Sequence, residues 1–388
     1  MTISDELTRI QTAKADIKAS IEAKGVTVPS SALINQYADY VDEIQTGGGG
    51  GNEDLIDLIE GDIVTLNIPS GTTKIVNELC KSNNKLTNII IPDSVTSIGD
   101  SFCQFCSNLT SVIMSNSVTS IGSGAFTYCS KLPVENYIRY ADTLAVETTD
   151  KTQTSYVFKE GTRYINTRLF DSCSNLTNIT VPDSVTYIGY GAFQNCSGLT
   201  SIDIPNSVTY IGGSAFSNCS SLTSVTIDMK TIPNTFQGNK IITTLIFGNN
   251  VISIGNSVFN GCTGLTSVTI PDNVTNIDAG AFQNCTGLTS ITIGSGVTSI
   301  NGSAFSGCSG LTSVIIPDSV TNIGNYAFES CSGLTSITIQ ATTPPTLGSY
   351  AFERTSTNLV IYVPAESLEA YKTATDWKTY ASRFQAIA

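Results

Sequence analysis

From residue 63 almost to its end, the chain repeats itself every 23 residues. LTSIDIPNSVTYIGGSAFSNCSS starts at Leu199, LTSVTIPDNVTNIDAGAFQNCTG at Leu265 and LTSVIIPDSVTNIGNYAFESCSG at Leu311. Cys173, Cys196 and Cys219 keep the count, as do Cys262, Cys285, Cys308 and Cys331. A fixed period of this length marks a solenoid, which grows by adding rungs and not by enlarging one core. One rung buries about six large apolar side chains, roughly 10 kcal/mol gross. Ordering its backbone costs at least as much. A lone rung is therefore unstable, and stacking supplies the surplus. Such surfaces bind more often than they catalyse.

Each rung reads as two strands and a turn. In the rung at Leu199, alternation puts Leu199, Ile202 and Ile204 inward and Ser201 and Asp203 outward. A short strand, Val208 to Ile211, follows, then a one-turn helix with Ala215, Phe216 and Cys219. About fourteen rungs are expected, opening near Ile63 and ending near Leu359. Two are irregular. Cys219 to Asn239 is 20 residues, three short, and the stretch from Lys131 to Ile165 contains NYIRYADTLAVETT, read as a hairpin turning at Asp142-Thr143.

Nine of the eleven cysteines fill one slot, three residues before the strand-opening Leu. In irregular rungs that slot holds Asn83, Asn239 and Thr355. A slot that accepts Cys, Asn or Thr wants a small side chain able to bond nearby backbone, so a reduced ladder is expected. Cys103-Gln-Phe-Cys106 is formally CxxC, but Cys106 belongs to the ladder and Cys103 occupies the Phe slot. Gly122-Ser-Gly124 and Gly189-Tyr-Gly191 lack the third glycine of a dinucleotide loop and read as turns.

The net charge is −13 and the chain has no histidine. Between 169 and 352 the only cations are Lys230 and Lys240, which argues against nucleic acid as a partner. Without histidine the usual general base and metal ligand are missing. The turn carboxylates Asp93, Asp183, Asp272 and Asp318 line up through repetition alone. No catalytic residue, metal site or cofactor is expected. MTISDELTRIQTAKADIK has no apolar h-region, and no run approaches 18 apolar residues, so neither a signal peptide nor membrane insertion is expected.

Residues 1–46 read as a separate helical anchoring module. Ile3, Ile10 and Ile17 share one face of a helix ending at Gly25, and Leu33, Tyr37, Val41 and Ile44 share a face of a second. Residues 47–52 form a glycine-rich linker, 53–363 the solenoid with a hairpin insertion at about 133–158, and 364–388 a helical cap. Asp54 to Glu60 reads as a short helix over the first rung. Pro364 opens the cap, and Leu368, Tyr371, Trp377 and Phe384 are available to seal the last rung.

IPDSVTSIG, IGSGAF and CSGLTSI at this period closely resemble the BspA-like leucine-rich repeat proteins, over about 63–363. The 136–165 hairpin is similar to an interruption common in that family. The resemblance implies a right-handed, β-strand-lined leucine-rich-repeat solenoid with short helical turns, and a binding or adhesive role. TAKADIKASIEAKGVTV and the helix after it resemble N-terminal segments of tail and fibre proteins from phages of gut bacteria. That implies attachment to other virion proteins through 1–46.

One constellation stands out as a ligand site. Tyr164, Tyr187 and Tyr210 occupy one slot on successive rungs. Elsewhere the slot holds Lys74, Ser97, Ser120, Ser253, Asn276, Ser299 or Asn322, which marks it as solvent-facing. Arg163 and the hairpin's Tyr137, Arg139 and Tyr140 are expected near the upper end of this aromatic row. The first reading is thus a non-enzymatic phage appendage, a tail fibre or similar, located in the virion and binding a bacterial surface protein or glycan. A homotrimer would suit a fibre. The alternative is a BspA-like bacterial surface or secreted adhesin that binds host or glycan ligands.

Overall fold

The computed structural model describes residues 64–387, which form a β-solenoid of about fourteen turns divided into two compact units between Glu147 and Thr148. The expected helical module at 1–46, the linker and the helix at 54–60 lie outside the described residues.

In the first unit, strands Thr65–Asn67, Asn88–Ile91 and Ser111–Met114 pair in parallel, with Leu66, Ile89 and Val112 in register and buried. Short strands Lys74–Ile75, Ser97–Ile98 and Ser120–Ile121 form a second ladder. The irregular stretch is a meander with two turns. Val134–Glu135 and Ile138–Ala141 form an antiparallel pair around Asn136 and Tyr137, both at positive φ. The chain turns again at Asp142 (φ 54°) into Leu144–Thr148, so the expected turn is joined by an earlier one.

The second unit repeats the plan in a longer run. Ser201–Ile204 pairs with Ser224–Ile227, and that strand with Thr244–Phe247, each in full register. Further long strands lie at Ser267–Ile270, Ser290–Ile293, Ser313–Ile316, Ser336–Ile339 and Val360–Val363. Threonines bolt rungs together: the Thr200 hydroxyl donates to the Thr177 carbonyl (3.2 Å), and Thr298 to Thr275 (3.2 Å). Nine phenylalanines from Phe170 to Phe352 stack along the core, with centroids 5.2 to 5.8 Å apart.

The cysteine ladder is present as expected. All eleven cysteines are reduced and buried. Eight of the nine ladder thiols donate to a carbonyl 26 residues earlier, as in Cys285 to Phe259 and Cys331 to Phe305 (both 3.1 Å), and the ninth, Cys173, accepts from the Tyr156 hydroxyl (3.5 Å). Where the slot changes, the cross-rung bond gives way to a local bond to backbone. Asn239 Oδ1 accepts from the Ile241 and Ile242 amides, and the Thr355 hydroxyl donates to the Phe352 carbonyl. Burial pushes the thiols of Cys219, Cys285 and Cys331 up to about 12.

The segments expected as single helical turns are chains of tight turns. Two columns of left-handed residues explain this. Ser214 and Asn218 have φ of 58° and 60°, and Ser303 and Gly307 have 57° and 75°. A left-handed residue every four positions stops an α-helix from propagating. The freed amides bond across rungs instead, as Phe193 does to the Ala215 carbonyl (2.9 Å).

At the C-terminus, helix Leu368–Thr373 brings Tyr371 and Trp377 over the last rung. The Tyr371 hydroxyl donates to the Ala341 carbonyl and the Trp377 indole to that of Pro345, both at 2.8 Å. Phe384 is on a strand and not on a helix: Phe384–Ala386 pairs in parallel with Ile361, Tyr362 and Val363.

Candidate binding surface

The tyrosine column exists as a ladder. Tyr164 pairs in register with Tyr187, and Tyr187 with Tyr210. The Tyr187 and Tyr210 rings stack with centroids 4.6 Å apart and planes 10° apart. Exposure does not follow the slot. Tyr210 is 48% exposed, Tyr187 is half-buried and Tyr164 is fully buried. The expectation of three solvent-facing phenols is corrected to two. The regular rungs that define the slot leave it open, whereas the rung of Tyr164 is covered. Desolvation raises the Tyr164 phenol, and the Arg163 guanidinium, 5.2 Å from its ring centroid, partly opposes this.

The hairpin residues divide in the same way within the first unit. Tyr140 is buried, because alternation on Ile138–Ala141 places it with Ile138 on the inner side. Arg139 is held inside its own hairpin. Its guanidinium pairs with Glu147 (2.9 Å) and donates to the carbonyls of Leu132 (2.7 Å) and Ser130. Both residues are structural here and do not present themselves as contacts. Tyr137 is exposed at the turn.

Two further stacks escaped the sequence reading. In the first unit Phe105 and Tyr128 stack at 4.8 Å and 7°. In the second, Tyr326 and Tyr350 stack at 5.4 Å and 15°. All four are exposed and all have positive φ, between 60° and 63°. The signal was available: Phe105 and Tyr128 stand directly before ladder cysteines, where other rungs carry Ser, Asn or Gly.

The outward positions of the long strands are mostly small and polar, as at Thr226, Thr269 and Thr292. Ile90 and Ile113, which face each other across one strand pair, are exposed exceptions. Cys103 and Cys106 are buried, and burial raises the Cys103 thiol well above its ordinary range. Among the described residues no group of three His, Cys, Asp or Glu side chains could hold a metal ion. Nor is any described helix long and apolar enough to cross a membrane.

The family model for the BspA type leucine rich repeat region matches in six copies, over residues 60–137, 149–262 and 230–359. The chain belongs to the BspA-type leucine-rich repeat family. Similar solved structures include a leucine rich cell surface protein from Faecalibacterium prausnitzii. It is 30% identical over 78% of this chain and 87% of its own, with a TM-score of 0.35. A leucine-rich repeat protein from Bacteroides ovatus is 24% identical, covering 84% and 92%, with a TM-score of 0.40. One from Eubacterium ventriosum is 21% identical, covering 76% and 83%, with a TM-score of 0.34. No curated protein matches the chain. The family match begins at residue 60, so it contains nothing of 1–46, on which the virion reading depends.

Proposed function

We propose that this chain is a non-enzymatic recognition protein of a bacterial surface, an adhesin of the BspA type, which binds a protein or glycan through the exposed columns of its rungs. The carrying observation is the Tyr187–Tyr210 stack, a half-buried ring against an exposed one on a backbone held by ladder pairing. Rigid aromatic anchors bind with little loss of conformational freedom. Two of the turn carboxylates are engaged by neighbouring rungs. Asp93 accepts the Ser115 hydroxyl (2.7 Å), and Asp272 accepts the Ser295 amide (2.7 Å).

Two measurements test this. Antibody against the solenoid is expected to label intact cells of the native host. Purified chain is expected to bind host-surface extracts saturably without altering them. Labelling that needs permeabilised cells would refute the location, and release of reducing sugar or peptide would refute the non-enzymatic role.

A further inference from the structure

The ligand class follows from the rung beside Tyr210, and the argument rests on the recognition reading above. Five residues separate Ile204 from Tyr210 in the regular rung, but only three separate Ile227 from Thr231 in the next. Four separate Ile211 from Phe216, and three Ile232 from Phe236. The three missing residues therefore flank the short strand and spare the core. Phe216 and Phe236 still stack at 5.2 Å, and Ser224–Ile227 still pairs with the strands on both sides.

The surface ladder does not survive the deletion. Tyr164–Ile165, Tyr187–Ile188 and Tyr210–Ile211 belong to one ladder, and Thr231–Ile232 begins another that continues to Ser253–Ile254. One rung earlier, the Thr186 carbonyl accepts the amides of Thr209 (2.9 Å) and Tyr210 (3.3 Å), and Ile188 accepts that of Gly212 (2.8 Å). The equivalent Thr209 and Ile211 carbonyls receive no amide from the short rung among the described residues. Tyr210 has Tyr187 against one face. Toward the short rung its slot neighbour is Thr231, small and exposed. The Tyr210 ring face turned away from Tyr187 thus lies beside a stretch of ladder where two carbonyls receive no amide and the next slot carries a hydroxyl.

We propose that this break in the ladder is a subsite for one ring of an uncharged polysaccharide, with the outer face of Tyr210 as its platform. A sugar ring offers a C–H face for the phenol and hydroxyl donors for the Thr209 and Ile211 carbonyls, which the short rung leaves without an amide, Pro233 standing where Gly212 stands one rung earlier. A protein strand is the poorer fit, because a two-residue edge gives it very few ladder bonds. Charge selects among glycans. Between residues 169 and 352 eight carboxylates stand against two lysines, a net field that disfavours anionic polymers, while Lys230, which adjoins Thr231 in the short rung, is the one cation beside the break.

The test is titration of the purified full chain with soluble glucan, mannan and galactan, with polygalacturonate as the anionic polymer. At least one neutral polymer is expected to bind. Tyr210→Ala is expected to weaken it tenfold or more, and Tyr210→Phe less than about threefold, since the ring face is the platform. A second variant replaces residues 228–235 with Pro271–Ala281 of a regular rung, which restores the 23-residue spacing and refills the gap. It is expected to keep the circular dichroism of the parent and lose the polymer. Unchanged affinity in Tyr210→Ala, or in the refilled variant, overturns the subsite. So does binding to polygalacturonate alone. Binding to a surface protein with no neutral polymer bound overturns the subsite and leaves the recognition reading intact. A folded chain that binds neither glycan nor protein overturns both.

Discussion

The two units solve the same packing problem with different side chains in the ring slot. In the second unit the slot is phenylalanine from Phe170 to Phe352, and neighbouring rings lie within 19° of parallel. In the first unit the slot is Cys80, Cys103 and Phe126. There the ring has moved one residue back. Phe102 stands where Ala125 stands in the next rung, and it meets Phe126 edge-on at 84°. Both arrangements are fully buried. Between these two rungs a ring and a small side chain exchange places, while Leu169-Phe170 and Val258-Phe259 show that the volume at the paired positions also varies along the chain.

That comparison can be broken by substitution. Phe282→Ala, between two parallel rings, is expected to cost about 3–5 kcal/mol in chemical denaturation. A loss under about 1 kcal/mol would mean that the ladder is not the core. Cys103→Phe alone crowds a slot already served by Phe102 and is expected to cost about 1–3 kcal/mol. Adding Phe102→Ala rebuilds the regular pair and is expected to recover most of that loss. No recovery would show that the units differ in more than order.

The thiol file sharpens the comparison through pH. Burial raises Cys219, Cys285 and Cys331 to about 12, above the ordinary thiol range. Unfolded thiols therefore lose their protons first as pH rises. Their contribution is complete below about pH 9 and declines toward pH 12, by about 1.4 kcal/mol per pH unit for each such thiol. Alkaline denaturation midpoints measure it, and a flat profile from pH 9 to 11 would contradict the burial. The smallest effect is expected from Cys285→Ala, which removes one thiol bond to the Phe259 carbonyl. It is expected to cost about 1 kcal/mol, with Cys285→Ser recovering part through its hydroxyl.

The repeat made most of this legible in the sequence. Period and alternation placed Leu199, Ile202 and Ile204 inside, and the shared Cys, Asn and Thr slot pointed to backbone bonding. Periodicity also aligned Tyr164, Tyr187 and Tyr210, but a slot states register and not cover, so the burial of Tyr164 was invisible. The left-handed columns were missed for a related reason. A repeating slot says nothing of φ, although Asn195, Asn218 and Asn284, directly before ladder cysteines, are of the type best suited to positive φ. Phe384 was counted as part of a helix because its neighbours carry helical residues, whereas three residues of register with Ile361 decide its strand.

That strand also sets the edge of its sheet. Val360–Val363 has partners on both sides: Ser336–Ile339 before it and Phe384–Ala386 after it. Without the second partner, a row of amides and carbonyls would be open to any chain carrying the same register, including another copy of itself. Three residues of returning strand thus occupy the edge of Val360–Val363 and pass the open edge on to Phe384–Ala386, a shorter strand that offers fewer ladder bonds to a newcomer.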